Sequence, residues 1–266
     1  MRENPIGIFD SGIGGLTVAY AVNQLLPKES IVYFGDTAHL PYGDKSTAAI
    51  QSYAIKICDV LLKSNCKVIL IACNSASAAA YQLVKEYVGN RAKVMNVIDP
   101  AVKYVASKYE GKTVGLIGTK KTVQSNVYRK RLDKTSQHIE LRALATPLLV
   151  PMIEEGFFDN KITQSIIENY LSDKSLEGIE ALILGCTHYP LIKKEIESYY
   201  KESIEIIDSS RVVAEALKTY LDENDLLSSG KDVKHTFYVS DFTHSFAETT
   251  RIFFKEQVQL EHYPLW

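Results

Sequence analysis

The sequence has few cysteines, little net charge and no long apolar run. Four cysteines in 266 residues are too few for a disulfide framework in a chain of this length, so we expect a reducing, cytoplasmic environment. No apolar run approaches the roughly 20 residues that cross a bilayer. The sequence leads directly into a predicted strand, so we expect no signal peptide and no membrane association.

Charge and ligand spacing exclude two further classes of protein. The net charge of -2 provides no electrostatic attraction to nucleic acid, so we expect no nucleic-acid partner. Cys186 and His188 lie two residues apart with no other ligand nearby, and no CxxC pair is present, so we expect no metal site. The apolar fraction of 46% and the charged fraction of 23% are typical of a globular protein with room for one or two domains.

Short apolar segments alternate with amphipathic ones along most of the chain. This alternation predicts an α/β fold with mostly parallel sheets covered by helices, because the strands are continuous apolar runs. A final helix is predicted over 242–258. The predicted strands are 6–9, 31–34, 67–72, a short one near 94, 113–117, 139–144, 181–184, 204–207 and 236–239.

The chain divides into two similar halves. Each half contains a strand, a polar turn and a helix, followed later by a strand that ends at a cysteine. We predict a seam at 97–100, where Asp99 would cap a helix and Pro100 would be its first residue. The predicted domains are 1–98 together with 209–266, and 99–208, with the last segment folding back onto the first domain.

Cys73 and Cys186 occupy matching positions at the ends of two apolar strands. Each is followed by polar residues that open a predicted helix, and the helix dipole there favours a thiolate. The free backbone N–H groups at such a corner can hold a carboxylate. Cys58 and Cys66 instead have the pattern of small apolar core residues.

Two paired thiols are compatible with several chemistries. A nucleophilic cysteine enzyme needs one thiol and a base, and a redox enzyme needs two thiols that can bond to each other. A third reaction is proton exchange at a stereocentre, in which two thiols act on opposite faces of one carbon of an amino acid. A non-catalytic amino-acid-binding protein is a further alternative.

The glycine-rich segment 10–15 also admits more than one interpretation. It imitates a dinucleotide fingerprint, but Thr17 stands where the third glycine belongs, and Asp10 would repel a pyrophosphate. It can instead be a tight turn that Asp10 caps, or a pocket wall with Asp10 and Ser11 facing in. Asp10 could lie beside Cys73, and His188 either assists Cys186 or makes a helix-start hydrogen bond.

Six motifs in this order carry a family resemblance that runs from about 6 to 200: IGIFDSGIGGLTV, YFGDTAHLPYG, ACNSAS, GTKKTVQSNVY, VPMIEEG and ILGCTHYPL. Together they resemble the glutamate racemases of the cofactor-independent aspartate/glutamate racemase superfamily. The resemblance implies two pseudo-symmetric α/β domains with the active site in the cleft between them. It implies interconversion of L- and D-glutamate without pyridoxal phosphate, any other cofactor or metal, supply of D-glutamate to peptidoglycan, and a homodimer.

The resemblance also implies residue roles. Cys73 and Cys186 would be the acid/base thiols, with Asp10 assisting Cys73, His188 assisting Cys186, and Glu154 as a further carboxylate. The residues implied to bind substrate are Asp10, Ser11, Tyr42, Gly43, Asn74, Ser75, Thr119, Thr122, Thr187 and His188. Ser75 departs from the threonine usual in the family but keeps its hydroxyl. An aspartate racemase of the same superfamily remains an alternative, because the sequence does not determine pocket depth.

Overall fold

The chain folds into two parallel sheets with helices between the strands. The computed structural model describes residues 1–135, 137–157, 160–242, 250, 253–254 and 258–266. The strands of this part are β1 (Ile6–Asp10), β2 (Ile31–Gly35), β3 (Val68–Ile71), β4 (Lys93–Asn96), β5 (Thr113–Gly118), β6 (Glu140–Ala145), β7 (Ala181–Gly185), β8 (Glu205–Asp208), β9 (His235–Val239) and β10 (Leu260–His262).

The helices follow the strands closely along the chain. Most of the predicted final helix over 242–258 lies outside the described residues. Within them, no helix combines the length and apolar character needed to cross a membrane. The described helices are α1 (Leu16–Leu25), α2 (Thr47–Lys63), α3 (Asn74–Val88), α4 (Ile98–Lys108), α5 (Lys120–Gln124), α6 (Val127–Leu132), α7 (Leu149–Glu154), α8 (Lys161–Leu171), α9 (Lys193–Tyr199) and α10 (Ser209–Glu223).

The two sheets repeat one strand order. The six-stranded sheet runs β10-β9-β2-β1-β3-β4 and the four-stranded sheet runs β6-β5-β7-β8, so β5 to β8 reproduce the arrangement of β1 to β4. Every recorded strand pair is parallel. The predicted fold class is therefore confirmed. β9 and β10 join the first sheet, whereas the exact domain boundaries at 98 and 209 stay a prediction.

The strands that lead to the two cysteines are buried along their whole length. All residues of β1, β3 and β7 are inaccessible to solvent, as expected for strands covered by helices on both faces. Because adjacent strands run parallel, their carboxyl ends lie along one edge of each sheet. That edge carries Asp10 after β1, Cys73 after β3 and Cys186 after β7.

The start of α4 differs from the prediction. The sequence predicts Asp99 as the cap and Pro100 as the first helical residue, but α4 begins two residues earlier, at Ile98. The side-chain oxygen of Asn96 accepts from the backbone N–H groups of Ile98 (2.9 Å) and Asp99 (3.0 Å). Asn96, the last residue of β4, thus satisfies the backbone N–H groups of the first two residues of α4. Pro100 lies inside the first turn of the helix.

A buried ion pair ties four segments of the chain together near the amino ends of β2 and β3. Lys67 Nζ lies 2.6 Å from Glu29 Oε2, and the two side chains are each only 2% exposed. Lys67 also donates to the carbonyl oxygens of Arg2 and Leu226. A buried charge pair is costly to break from one side, because the remaining charge has no solvent to compensate it.

We therefore expect Lys67→Met to lower the free energy of unfolding by about 3–5 kcal/mol, measured by urea denaturation. Lys112→Met is the matched control, because Lys112 pairs with Glu180 at 2.8 Å on the surface, where such pairs contribute little. The double variant Lys67→Met/Glu29→Gln should recover part of the lost free energy of unfolding, because it also removes the unpaired charge of Glu29. Equal effects of the two lysine substitutions would contradict this interpretation.

Candidate active site

One small cavity lies where the carboxyl edges of the two sheets meet. It encloses about 90 Å³ and has the form of a small-molecule site, with a few polar groups converging on a partly apolar wall. All predicted site residues except Asp10 and Thr122 line it. The lining therefore includes Ser11, Tyr42, Gly43, Cys73, Asn74, Ser75, Thr119, Glu154, Cys186, Thr187 and His188.

Cys73 enters the cavity from the first sheet. It is 6% exposed and is the N-cap residue of α3, where its sulfur accepts from the backbone N–H of Ala76 at 3.4 Å. Its sulfur also lies 3.7 Å from Ser11 Oγ. Burial and the neighbouring Asp10 carboxylate raise the pKa of the Cys73 thiol to about 12. Burial thus opposes the thiolate, which the N–H of Ala76 at the helix start favours.

Asp10 lies directly behind the cavity wall and is fully buried. Its Oδ2 accepts from the backbone N–H groups of Gly12 (3.2 Å) and Gly15 (3.0 Å), and Thr187 Oγ1 lies 3.5 Å from Oδ1. These contacts engage turn N–H groups that a pyrophosphate would need, which argues against a dinucleotide site. Burial raises the pKa of Asp10, although His188 and the turn N–H groups oppose the shift.

Cys186 enters from the second sheet with a different set of neighbours. It is also 6% exposed, and its sulfur lies 3.7 Å from Nδ1 of His188. The other ring nitrogen of His188 lies 2.9 Å from Glu154 Oε1. Burial lowers the pKa of His188, but its contacts with Cys186 and Glu154 outweigh that effect and raise it to about 10. His188 is therefore a partner of Cys186 rather than a helix-start donor.

The two cysteine corners are not equivalent in backbone structure. α3 starts immediately after Cys73, whereas Cys186 is followed by a turn and a 3-10 helix over Tyr189–Ile192. The α-helix α9 begins only at Lys193. The helix predicted to open with the polar residues after Cys186 therefore begins later, at Lys193, after one 3-10 turn that contains Pro190.

The wall between the two cysteines joins the two halves of the chain. Ser75 Oγ and Thr119 Oγ1 are 2.8 Å apart, and Tyr128 donates to Asn74 Oδ1 at 2.7 Å. The amide Nδ2 of Asn74 is buried and has no hydrogen-bond partner among the described residues. A ligand carboxylate in the cavity would satisfy that donor. Thr122 lies behind Thr119, with their hydroxyl oxygens 3.2 Å apart.

The loop before α2 contributes Tyr42 and Gly43 to the lining of the cavity, but the hydroxyl of Tyr42 is engaged elsewhere. That hydroxyl donates to the buried carboxylate of Asp36 at 2.6 Å, so it is committed away from a ligand. Sequence reasoning also missed an apolar wall formed by Val150 and Pro151. The motif VPMIEEG contains both residues and was the available signal.

The remaining cysteines stand apart from the cavity. Cys58 and Cys66 are buried, and burial raises the pKa of each thiol to about 12, as for inert core residues. In the described part of the chain, no group of three or more His, Cys, Asp or Glu side chains could hold a metal ion. Each thiol of the cavity adjoins a second titratable group, Asp10 for Cys73 and His188 for Cys186.

Comparison with known proteins finds glutamate racemases that are similar along nearly the whole chain. A glutamate racemase of Chlorobaculum parvum is 42% identical over 252 residues, which cover 94% of this chain and 92% of the relative. The crystal structure of Francisella tularensis glutamate racemase in complex with D-glutamate is 39% identical with a TM-score of 0.93, covering 100% of this chain and 99% of that one. Glutamate racemase isoform RacE1 of Bacillus anthracis is 32% identical with a TM-score of 0.94, covering 99% of both chains.

Most of the chain matches the sequence model of one protein family. Residues 16–217 match the model for Asp/Glu/hydantoin racemases, a span that contains both cysteine corners, His188 and Glu154. The relatives agree with that match along nearly the whole length of the chain. The chain belongs to the Asp/Glu/hydantoin racemase family of isomerases.

Proposed function

We propose that the protein is a glutamate racemase that interconverts L- and D-glutamate by proton transfer at Cα, without a cofactor. The observation that carries the proposal is that two buried thiols, one from each sheet, line the same small cavity. Inverting a carbon centre requires a base on one face and an acid on the other. The names of the relatives, and the D-glutamate held by the Francisella enzyme, support glutamate as the substrate.

In the proposed mechanism, the substrate lies with Cα between the two sulfurs. The imidazolium of His188, held by Glu154, stabilises a thiolate on Cys186, which removes the Cα proton from one face. Cys73, whose raised pKa keeps it protonated, donates its proton to the opposite face. The reverse reaction exchanges the two roles, and Asp10 assists the protonation of Cys73.

Polar groups of the wall hold the charged ends of the substrate. Ser11, Tyr42, Gly43, Asn74, Ser75, Thr119 and Thr187 contribute hydroxyl, amide or backbone groups, with Asp10 and Thr122 acting from behind them. The unpartnered Nδ2 of Asn74 suits a carboxylate oxygen, because an unmet buried donor is costly. These contacts stabilise the carbanion that forms when Cα loses its proton.

We further propose a cytoplasmic homodimer whose D-glutamate enters peptidoglycan. All four cysteines are free thiols, which agrees with a reducing compartment. The dimer and the peptidoglycan role rest on the family resemblance. We also propose the domain division of 1–98 with 209–266, and 99–208, supported by the return of β9 and β10 to the first sheet.

The direct test is circular dichroism of pure L-glutamate and of pure D-glutamate with enzyme, in a chelator and without pyridoxal phosphate. We expect both solutions to lose their optical signal and converge on zero, because the proposed reaction produces a racemate. Aspartate is the control substrate. A signal change with aspartate and none with glutamate would replace this assignment with an aspartate racemase.

The two-thiol mechanism predicts that Cys73→Ser and Cys186→Ser each reduce kcat by at least about 100-fold, because each removes one of the two proton carriers. Cys58→Ala is the matched control, since that thiol is buried in α2 away from the cavity, and its kcat should stay within about twofold of wild type. Near-normal racemisation by either serine variant would contradict the mechanism.

Glu154→Gln should shift the alkaline limb of the kcat/KM profile to lower pH. Glu154 helps to raise the pKa of His188 to about 10, so His188 loses its proton as the pH rises through that value. Without the negative charge the pKa falls, by about one unit or more, and the imidazolium is lost earlier. Glu155→Gln, which changes the exposed neighbour, should leave the limb in place. An identical shift in both variants would exclude a specific role for Glu154.

A further inference from the structure

A second buried carboxylate, Asp36, lies beside the cavity and takes no part in the proposed proton transfers. It follows β2 directly and is completely buried. Four side chains surround its two oxygens: Tyr42 Oη at 2.6 Å, Ser240 Oγ at 2.7 Å, Trp266 Nε1 at 3.0 Å and His39 Nδ1 at 3.0 Å. We call Asp36 and these four side chains the Asp36 network.

The network brings together residues from remote parts of the chain. Tyr42 and His39 follow β2, Ser240 follows β9, and Trp266 follows β10. A buried carboxylate is tolerated when its oxygens are satisfied by donors, and hydrogen bonds to a carboxylate are among the stronger ones. Ser240, Trp266 and His39 contact Oδ1, whereas Tyr42 and His39 contact Oδ2. Removing one donor weakens the hold on a carboxylate that has no solvent to replace it, so the remaining donors and the backbone that carries them shift.

One donor of the network is also part of the cavity wall. Tyr42 and Gly43 both line the cavity, and the hydroxyl of Tyr42 is held by Asp36. Gly43 approaches the second half so closely that a Cβ atom placed on it would lie 3.0 Å from Cβ of Thr119. A small displacement of Tyr42 therefore changes the shape of the cavity where the two halves meet, and small misplacements of binding groups carry large penalties.

Trp266 belongs to the Asp36 network but is not one of the residues that line the cavity. Its ring lies edge-on to His39 with centroids 4.3 Å apart, and Lys56 Nζ lies 4.3 Å from the ring centroid. The segment that precedes Trp266 is held to the first sheet, because the backbone N–H of Tyr263 donates to the carbonyl oxygen of Val239 at 2.9 Å. The indole N–H is thus held in place against Asp36.

We propose that Asp36 is a positioning residue for the substrate loop, defined as residues 40–44, and that the Trp266 indole N–H keeps that loop in its binding position. Asp36 holds the loop through the Tyr42 hydroxyl, and Trp266 holds Asp36. A residue more than 220 positions from the loop thereby controls substrate affinity without touching substrate. The identity of that substrate rests on the proposed function, whereas the mechanical link between Trp266 and the loop does not.

Trp266→Phe tests the link, because it keeps an aromatic ring and removes the N–H donor. We expect faster amide hydrogen exchange over residues 36–45, measured by mass spectrometry. With glutamate we expect a rise in KM of about five- to tenfold, as for the loss of one hydrogen bond, with kcat within about twofold. Asp36→Asn replaces one acceptor oxygen by an amide NH2 group, which faces the same donors. It should therefore raise both the exchange rate and KM by more than Trp266→Phe does.

Tyr263→Phe is the matched control, because it removes one hydroxyl from the same segment and keeps the ring contacts with Phe34 and Tyr238. It should change neither the exchange nor KM. Unchanged exchange in Trp266→Phe would overturn the proposal, as would a fall in kcat at constant KM. Faster exchange with an unaltered KM would also overturn it. If the wild-type protein does not racemise glutamate but Trp266→Phe still speeds amide exchange in the loop, the link between Trp266 and the loop is supported and the proposed function is refuted.

Discussion

The close contact between the glycine-rich turn after β1 and the Cys186 corner is the constraint on which the site depends. A Cβ atom on Gly14 would lie 2.3 Å from Cε1 of His188, and one on Gly15 would lie 2.4 Å from Cβ of Asp10. Thr17 on the same segment donates to the carbonyl oxygen of Thr187 at 2.8 Å. A larger side chain at Gly14 would push against His188 and separate the two halves, whereas one at Gly15 would displace Asp10 within the first half.

The same contact gives the two thiols unequal electrostatic surroundings. The turn places the buried carboxyl of Asp10 near Cys73, where it adds to burial in raising the pKa of that thiol. On the other side, Cys186 adjoins an imidazole whose pKa is raised to about 10. One thiol is thus set to hold a proton and the other has a cation beside it. Because the proposed reaction exchanges the roles of the thiols between its two directions, this difference bears on the relative rates of those directions.

The repeated strand order accounts for the shared positions of the thiols, and its local departures account for their differences. Cys73 and Cys186 follow the third strand of equivalent arrangements, so both emerge at a carboxyl edge. Only the first sheet gains two additional strands, β9 and β10. These strands carry Ser240 and Trp266 to Asp36, and they link the substrate loop to the distant part of the chain.

The sequence alone determined the α/β class, the parallel strands and the two cysteine corners. Apolar periodicity and turn residues are local signals, and a set of six ordered motifs identifies a family. Only the tertiary structure decided that the side chain of Asn96, rather than that of Asp99, binds the first N–H groups of α4, that burial raises the pKa of Cys73, and that Trp266 reaches Asp36. Each of these depends on burial or on a three-dimensional contact, and local sequence patterns do not encode the distance between groups that the fold brings together.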